Sequence, residues 1–252
     1  MGLWGHLAMK LKVLGSSSSG NCYLLQNQNE TLMIECGIPY KKILKGLEFN
    51  LSNVVGCLIS HEHKDHSKAV RELINNEIEI GTSLGTLEAI TEEIKNLNAY
   101  KFNYLESGLQ TYMGDFTILP FNTQHDAAEP LGFLIQHPEM GKLLFITDSY
   151  YCKYKFRGLN HIMIECNYSK EILQKNIENG LNISMAKRLI KSHFSLENVK
   201  EFLKTNDLSQ CKDITLLHLS DGNSDARQFK NEIERVTGIP VYVADKGLGI
   251  EL

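Results

Sequence analysis

The stretch from Ser60 to Ser67, which reads S-H-E-H-K-D-H-S, constrains this chain more than any other part of it. It directly follows an apolar run that is typical of a buried strand. Alternate side chains of an extended chain share a face, so His61 and His63 can converge on one cation. Asp65 and His66, past a turn, can point at a second cation, and imidazoles with a carboxylate suit zinc, manganese or iron. The alternative is a solvated polar loop, but three of the nine histidines within six consecutive residues favour a metal site.

The same arrangement recurs along the chain. His125, Asp148, Glu165 and His218 each end a predicted strand or follow one closely. Taken alone, each is explained equally well as a loop residue, a cap or a buried structural group. Their joint placement is more informative, because α/β sheets hold catalytic groups along one rim at strand ends. His125 is placed to supply a third imidazole to the first cation, and Asp148 to bridge two cations.

The order of predicted elements indicates a four-layer α/β fold. Strand-rich stretches fill both halves of the chain, Ser83 is predicted to cap one helix, and others begin near Ser169, Ser184 and Ser195. A chain of 252 residues with 42% hydrophobic content can bury one large core without stabilising disulfides or structural metal ions. We therefore predict a single domain over residues 9–252, preceded by an N-terminal extension, residues 1–8, that need not be ordered.

The composition of the chain limits which binding partners and which cellular compartment are expected. A formal charge of −4 and a pI near 6.1 argue against gripping long nucleic acid by bulk electrostatics, although Lys187, Arg188 and Lys191 offer a local basic rim. The six cysteines are scattered without a C-x-x-C pair, as expected of buried thiols in a reducing cytoplasm. The opening MGLWGHLA is too short for a signal peptide, and no apolar run is long enough to span a membrane. We expect a cytoplasmic protein with no membrane partner.

The run Gly15–Asn21, G-S-S-S-S-G-N, lies between two predicted strands. Such a loop of small residues can bring backbone amides close to a phosphate. A plain hairpin turn needs the same residues, so both interpretations stay open. In the first of them, Ser18, Ser19 and Asn21 are the candidate substrate-binding residues.

H-E-H-K-D-H resembles the H-x-H-x-D-H signature of the metallo-β-lactamase fold hydrolases, and the later histidines and aspartate follow in the order that this superfamily uses. The resemblance extends over nearly the whole chain from Met9 onward. Within the superfamily the chain is most similar to the YycJ-like branch, through G-S-S-S-S-G-N, Q-H-D-A-A-E-P, I-T-D-S, I-E-C-N, S-H-F-S and L-H-L-S. The resemblance implies an αββα sandwich with its site along one edge, between the two sheets.

A centre of two divalent metal ions is the second implication of the resemblance. The ions are expected to be Zn²⁺, with Mn²⁺ as the alternative. Carried over by position, one ion would be bound by His61, His63 and His125, the other by Asp65, His66 and His218, with Asp148 bridging them.

The tRNA-processing relatives use a further histidine before a helix, which assists catalysis and is oriented by a glutamate. His193 and Glu165 are similar in order and context, and with Asp65 they are the candidate catalytic residues. The alternative for His193 and Glu165 is a buried structural pair.

Three departures from the family pattern stand out. The superfamily usually has Asp-x-Gly after an early strand, where this chain has Glu35-Cys36-Gly37. The interval from Asp148 to His193 is 45 residues, which is too short for the large cap domain of some nucleic-acid-processing members. The chain also has no long arm like that of the tRNA-processing enzymes.

These residues indicate a metal-dependent phosphodiesterase. Two cations can share a hydroxide, because metal binding lowers the pKa of water to about 7. The resemblance implies small nucleotides, most of all cyclic mononucleotides, because compact relatives cleave such rings and this chain lacks a basic composition and an added nucleic-acid-binding module. A DNA exonuclease of the YycJ type is the alternative. A thioester or lactam hydrolase is a weaker alternative. A non-catalytic metal-stabilised binding module predicts missing ligands, and none is missing. Family relatives often form dimers, so a homodimer is expected.

Overall fold

A computed structural model describes residues 8–252, and the predicted N-terminal extension, residues 1–8, lies outside the described residues except for Ala8. The division into this extension and one domain over residues 9–252 stays a prediction. The first sheet of the described part contains β1 (Lys10–Gly15), β2 (Cys22–Gln26), β3 (Thr31–Ile34), β4 (Val54–Leu58), β5 (Ile80–Thr82), β6 (Phe102–Tyr104) and β14 (Gly249–Glu251).

The second sheet also has seven strands and pairs in the order β13-β12-β11-β10-β9-β8-β7, whereas the first is ordered β14-β1-β2-β3-β4-β5-β6. Strands β10 to β13 pair in parallel, and β7 to β10 pair antiparallel. The bounds of these strands are β7 (Thr111–Met113), β8 (Phe116–Asn122), β9 (Leu131–His137), β10 (Gly141–Ile146), β11 (His161–Glu165), β12 (Asp213–Leu217) and β13 (Val241–Val243).

Helices cover the outer faces of both sheets. A 3₁₀ turn, Ala99–Lys101, precedes β6. The α-helices are α1 (Tyr40–Gly46), α2 (Lys64–Ser67), α3 (Val70–Asn75), α4 (Leu84–Glu93), α5 (Lys170–Glu178), α6 (Ile183–Ser192), α7 (Leu196–Thr205) and α8 (Ala226–Thr237).

Three apolar clusters fill the spaces between four layers. The first lies between the two sheets, and the others lie between each sheet and its helices. Alternation along the strands explains this division, since successive residues of a strand face opposite sides of its sheet. The predicted four-layer αββα sandwich is confirmed. Among residues 8–252 there is no helix that is both long and apolar enough to cross a membrane.

Local signals predicted most helix starts and misplaced one strand. Ser83, Ser169 and Ser195 are the N-caps of α4, α5 and α7, and each side chain accepts a backbone N–H three residues on. Helix α6 instead starts after Asn182, which accepts the Ser184 N–H. The sequence of residues 77–81 predicts a short strand, but Glu77, with a φ of 65°, lies in the turn after α3, and β5 begins only at Ile80.

Candidate metal centre

The stretch from Ser60 to Ser67 leaves the end of β4 and turns into the short helix α2. The Ser60 N–H donates to Glu35 Oε1 at 3.2 Å, which ties the start of the turn to the chain after β3. Ser67 Oγ donates to the Glu62 carbonyl at 2.6 Å and closes the turn on itself. These hydrogen bonds fix the direction in which the histidines of the stretch point.

Three imidazoles form a first cluster. His63 Nδ1 lies 3.1 Å from His61 Nε2 and 3.2 Å from His125 Nε2. The other nitrogen of His125, Nδ1, lies 2.9 Å from the Ser192 carbonyl and therefore carries the proton, which leaves Nε2 with a free lone pair. Burial lowers the pKa of His61 well below its usual value and also lowers the pKa of His125. Neutral imidazoles are the form that binds metal.

Two carboxylates and two imidazoles form a second cluster beside the first. Asp65 Oδ2 lies 3.3 Å from His66 Nε2 and 3.5 Å from His218 Nε2. Asp148 completes the cluster, with Oδ2 at 3.5 Å from His66 Nε2 and Oδ1 at 3.1 Å from His218 Nδ1. The ligand atoms of all four residues lie within 4.8 Å of one another.

Asp148 also reaches the first cluster. Its Oδ2 lies 3.7 Å from His125 Nε2 and 3.9 Å from His61 Nε2. One carboxylate therefore stands between both sets of ligand atoms, which is the position that a bridging ligand needs.

Opposite charges balance in the buried second cluster. Burial, the largest single influence, lowers the pKa of His66 and His218, but the surrounding carboxylates, Asp148 foremost, together outweigh it and raise both pKa values well above the usual range. Burial likewise would raise the pKa of Asp148, but His218 and His66 outweigh it and hold that pKa well below its usual range. A divalent cation bound by these residues would take the place of protons on the two imidazoles.

The donor set fits divalent cations. His218 Nε2 is buried without a hydrogen-bond partner in the described chain, and it faces the Asp65 carboxylate. A buried nitrogen that lacks a partner is costly unless an ion or a water satisfies it. Imidazole nitrogens in one cluster, and imidazoles with carboxylates in the other, match Zn²⁺ or Mn²⁺.

The backbone of the centre is strained. Glu35, Asp148 and His218 have φ angles of 61°, 36° and 52°, a region that side-chain-bearing residues rarely adopt. Each costs on the order of 1–3 kcal/mol and persists only where the surroundings enforce it. The three residues lie just after strands β3, β10 and β12. Their unusual φ angles turn the side chains away from the strand direction, so that they converge on one centre at the edge of the sheets.

His193 lies beside the second cluster, on the rim of the centre. Its Nδ1 is 2.6 Å from Glu165 Oε1, an oxygen that is also 3.0 Å from His218 Nδ1. Glu165 Oε2 accepts the N–H groups of Ser149 and Phe194, so the buried carboxylate is held on both oxygens. Burial would lower the pKa of His193, but Glu165 outweighs it and raises that pKa. The remaining nitrogen, Nε2, is the one left for substrate.

Two connected cavities give access to the centre. The inner cavity, of about 180 Å³, is lined by residues of both clusters together with His193, Ser18 and Arg188. An outer groove of about 850 Å³ shares Arg188 and His125 with it and is also lined by Lys187 and Lys191. The basic rim predicted from α6 therefore opens directly onto the centre.

Comparison with known proteins agrees with this geometry. Residues 9–78 match the family model described as "Anti-Pycsar protein Apyc1". The chain is 27% identical over 255 residues to exodeoxyribonuclease YycJ of Bacillus anthracis, which covers 97% of this chain and 92% of that protein. It is 27% identical over 261 residues to exodeoxyribonuclease WalJ of Streptococcus pneumoniae, with 97% and 93% covered. The metallo-β-lactamase fold protein YhfI of Bacillus subtilis superposes with a TM-score of 0.71 at 16% identity, over 96% of this chain and 99% of that one.

The chain is a YycJ-like protein of the metallo-β-lactamase fold. It is a metallohydrolase, with histidine and aspartate clusters placed at the shared edge of its two sheets.

The three predicted substrate-binding residues of this YycJ-like hydrolase lie in different surroundings. Ser18 lines the inner cavity. Ser19 is exposed and its hydroxyl lies 2.8 Å from that of Ser17. Asn21 is fully buried, and its Nδ2 donates to the Asp65 carbonyl at 3.1 Å and lies 3.2 Å from His66 Nε2. Of the three, Ser18 lines the inner cavity, and Asn21 supports residues 60–67, the metal loop.

Sequence reasoning missed one supporting residue, Ser16, and noted Glu35 only as a departure from the family pattern. Ser16 Oγ accepts the His218 N–H at 3.0 Å, and nothing in a run of four serines singles out this one. Glu35, which stands where the family has aspartate, is fully buried with Oε2 at 3.5 Å from His66 Nδ1. The longer glutamate side chain therefore contacts His66 from the side of β3. This contact depends on the left-handed backbone of Glu35, which cannot be recognised in the sequence.

Gly37→Ala is expected to displace the metal loop. A Cβ at Gly37 would lie 1.6 Å from the Asp65 carbonyl oxygen and 2.0 Å from its carbon, and these backbone atoms cannot rotate away. Overpacking typically costs about 1–3 kcal/mol, so we expect a lower Tm and weaker metal binding, measured by calorimetry and metal titration. Gly249→Ala is the matched control, because a Cβ there meets nothing within 4 Å. Equal effects of the two substitutions would contradict this role of Gly37.

Proposed function

We propose that this metallohydrolase is a phosphodiesterase that degrades DNA from an end, with single-stranded ends as its substrate. The observation that carries the proposal is the groove of about 850 Å³, which opens onto the metal centre and is lined by Lys187, Arg188 and Lys191. A substrate with one phosphate would leave these cations unused, whereas a strand places further phosphates along them. The relatives named exodeoxyribonuclease, aligned over 97% of the chain, support the same substrate.

We propose that the centre holds two divalent ions, Zn²⁺ or Mn²⁺. Three imidazoles, those of His61, His63 and His125, would hold one ion. Asp65, His66 and His218 would hold the other. When bound, such ions lower the pKa of water and neutralise charge on the phosphodiester and on its leaving oxygen.

The chain's own residues would handle the proton. Glu165 accepts a hydrogen bond from His193 Nδ1 and so fixes the orientation and tautomer of the ring. His193 Nε2 then carries the proton that the leaving oxygen needs when the P–O bond breaks. Arg188, shared by the cavity and the groove, is placed to hold a neighbouring phosphate.

Cyclic mononucleotides, predicted from the composition, are the second candidate substrate. The inner cavity of about 180 Å³ favours them, because it is large enough for a phosphodiester and part of a sugar but not for a strand. Both candidates need the same centre and the same proton donor. The difference between them lies in whether the groove is used.

A substrate panel tests the proposal. The protein, loaded with Zn²⁺ or with Mn²⁺, is incubated with single-stranded DNA, duplex DNA, 3′,5′-cyclic mononucleotides and an aryl phosphodiester. We expect mononucleotides to be released progressively from DNA, fastest from single strands. A variant carrying both His61→Ala and His63→Ala gives the background rate. Hydrolysis of the cyclic nucleotides with DNA left intact would replace the proposal by the second candidate. The predicted homodimer and cytoplasmic location stay predictions.

A further inference from the structure

The segment from Tyr150 to Arg157 joins the metal centre to the far side of the second sheet without forming a strand. From Tyr151 to Arg157 its exposure alternates, as in an extended chain whose successive side chains point to opposite sides. Tyr154 and Phe156 point inward and pack on Phe121, with ring centroids 5.5 and 5.0 Å away. The apolar side of the segment therefore holds it against the protein.

The outward side of the segment is aromatic and basic. Tyr151 is 56% exposed, and it is followed on the same side by the exposed lysines Lys153 and Lys155. Neither lysine has a carboxylate within 4.0 Å in the described part of the chain, and Lys153 Nζ lies 5.2 Å from the Tyr154 ring centroid. Arg157, the next outward residue, lies near Asp207, whose pKa is lowered mainly by hydrogen bonds from Ser209 and to a smaller extent by the charge of Arg157.

The segment continues the path that starts at the metal centre. Tyr150 lines the outer groove, and it also lines a neighbouring cavity of about 430 Å³ that runs along Tyr151, Lys153 and Lys155. The Tyr150 N–H donates to the Gln124 carbonyl at 3.1 Å, which fixes the start of the segment beside the centre. Seven residues separate Asp148 from Lys155, so the path reaches at most about 23 Å beyond the centre.

We propose that Tyr151, Lys153 and Lys155 form a track that binds a single strand of nucleic acid behind the scissile bond. This inference rests on the proposed function, and it assigns to the strand a binding surface that is separate from the metal centre. Aromatic rings interleaved with cations bind single strands without sequence preference, because bases stack on the rings while the cations meet phosphates. An exposed tyrosine face favours a single strand over a duplex, whose bases are already stacked. Because its inner side chains are packed, the track needs little ordering when the strand binds.

Two variants test the track. In the first, Lys153→Ala is combined with Lys155→Ala, and in the second Tyr151 is replaced by alanine. The matched control combines Lys95→Ala with Lys212→Ala, two exposed lysines without a carboxylate within 4.0 Å in the described chain. Lys212 precedes β12 and Lys95 follows α4, so both lie at the end of the sheets opposite the centre.

The binding of a single strand of about 20 nucleotides is measured in chelator at several salt concentrations, and its cleavage with metal present. Loss of two phosphate contacts should reduce the slope of log affinity against log salt by about 1.4 and weaken binding on the order of tenfold at 0.1 M salt. Tyr151→Ala should weaken binding about fivefold or more. The control should match the unchanged protein, and hydrolysis of an aryl ester of a mononucleotide, which is too short to reach the track, should stay the same in all variants.

The outcomes separate the track from the proposed function. If the unchanged protein leaves every DNA intact, the proposed function is refuted, and the track, which rests on it, is refuted with it. If it degrades DNA and both track variants bind and cleave the long strand like the control, the track is refuted and the function stands. If the track variants lose as much affinity for duplex DNA as for the single strand, the track binds only the charged backbone of nucleic acid. The assignment to single strands is then overturned.

Discussion

Asp148→Asn should lower the rate of phosphodiester hydrolysis by about 10³-fold or more, because this carboxylate, which we propose bridges the two ions, lies next to histidine nitrogens of both clusters. The amide keeps the size of the side chain and removes its charge. We expect the protein to bind less metal, as measured by elemental analysis after gel filtration. The substitution should also destabilise the ion-free protein, since His66 and His218 would lose the carboxylate that balances their protons. Breaking a buried ion pair costs about 3–5 kcal/mol, which thermal unfolding in chelator would detect.

Asp126→Asn is the matched control for Asp148→Asn. Asp126 lines the same inner cavity, but it is exposed and has no histidine nitrogen within 4.0 Å in the described chain. The control should keep its metal content, its Tm and most of its activity. If Asp148→Asn keeps its full metal content and loses less than about tenfold in rate, the bridging role is wrong.

His193→Ala should reduce the cleavage of DNA by about 10²- to 10⁴-fold while both ions stay bound. His193 touches the centre through Glu165 and lies 3.9 Å from Asp148 Oδ2, and with Asp148, Glu165 and His218 it forms a third group of possible ligands. We propose that it acts on the substrate from the rim and does not bind an ion. Its proposed task is to protonate the leaving oxygen. An aryl phosphodiester with a good leaving group needs no such proton, so its hydrolysis should fall much less. The comparison of the two substrates is the decisive measurement.

Glu165→Gln provides the second arm of the His193 experiment. Glutamine keeps the acceptor oxygen but removes the charge that raises the pKa of His193, so we expect an intermediate loss on DNA. Glu165 also lies 3.0 Å from His218 Nδ1, and the metal content must therefore be measured in parallel. A loss of bound metal in His193→Ala, or an equal loss on both substrates, would assign His193 to ligation or folding.

Many residues of the centre could be predicted from the sequence, because the end of a strand is recognised from a short stretch of neighbouring residues. The apolar run before Ser60 and the spacing of the histidines are enough to place a metal loop at a strand end. The same rule located Asp148, Glu165 and His218, and the structure brings all of these side chains together. Strands that run parallel carry their carboxyl ends to the same edge, so residues far apart in the chain meet without any further signal.

The supporting contacts were not readable, because they join residues that are distant in sequence. Ser16 and His218 are 202 residues apart, and only the folded chain decides which of four serines holds the His218 backbone. The contact of Asn21 with the Asp65 carbonyl, 44 positions along the chain, was not readable for the same reason.

The sequence by itself determined the layered fold, the strand-end clusters and the metal chemistry, since these follow from periodicity and from the donor atoms of the side chains. Only the tertiary structure decided that Arg188, Tyr150 and Lys153 lie on one path from the centre. The segment that carries Tyr150 and Lys153 has no regular secondary structure, and packing of its inner rings on Phe121 sets its course. Packing of this kind depends on the whole core, and no local pattern encodes it.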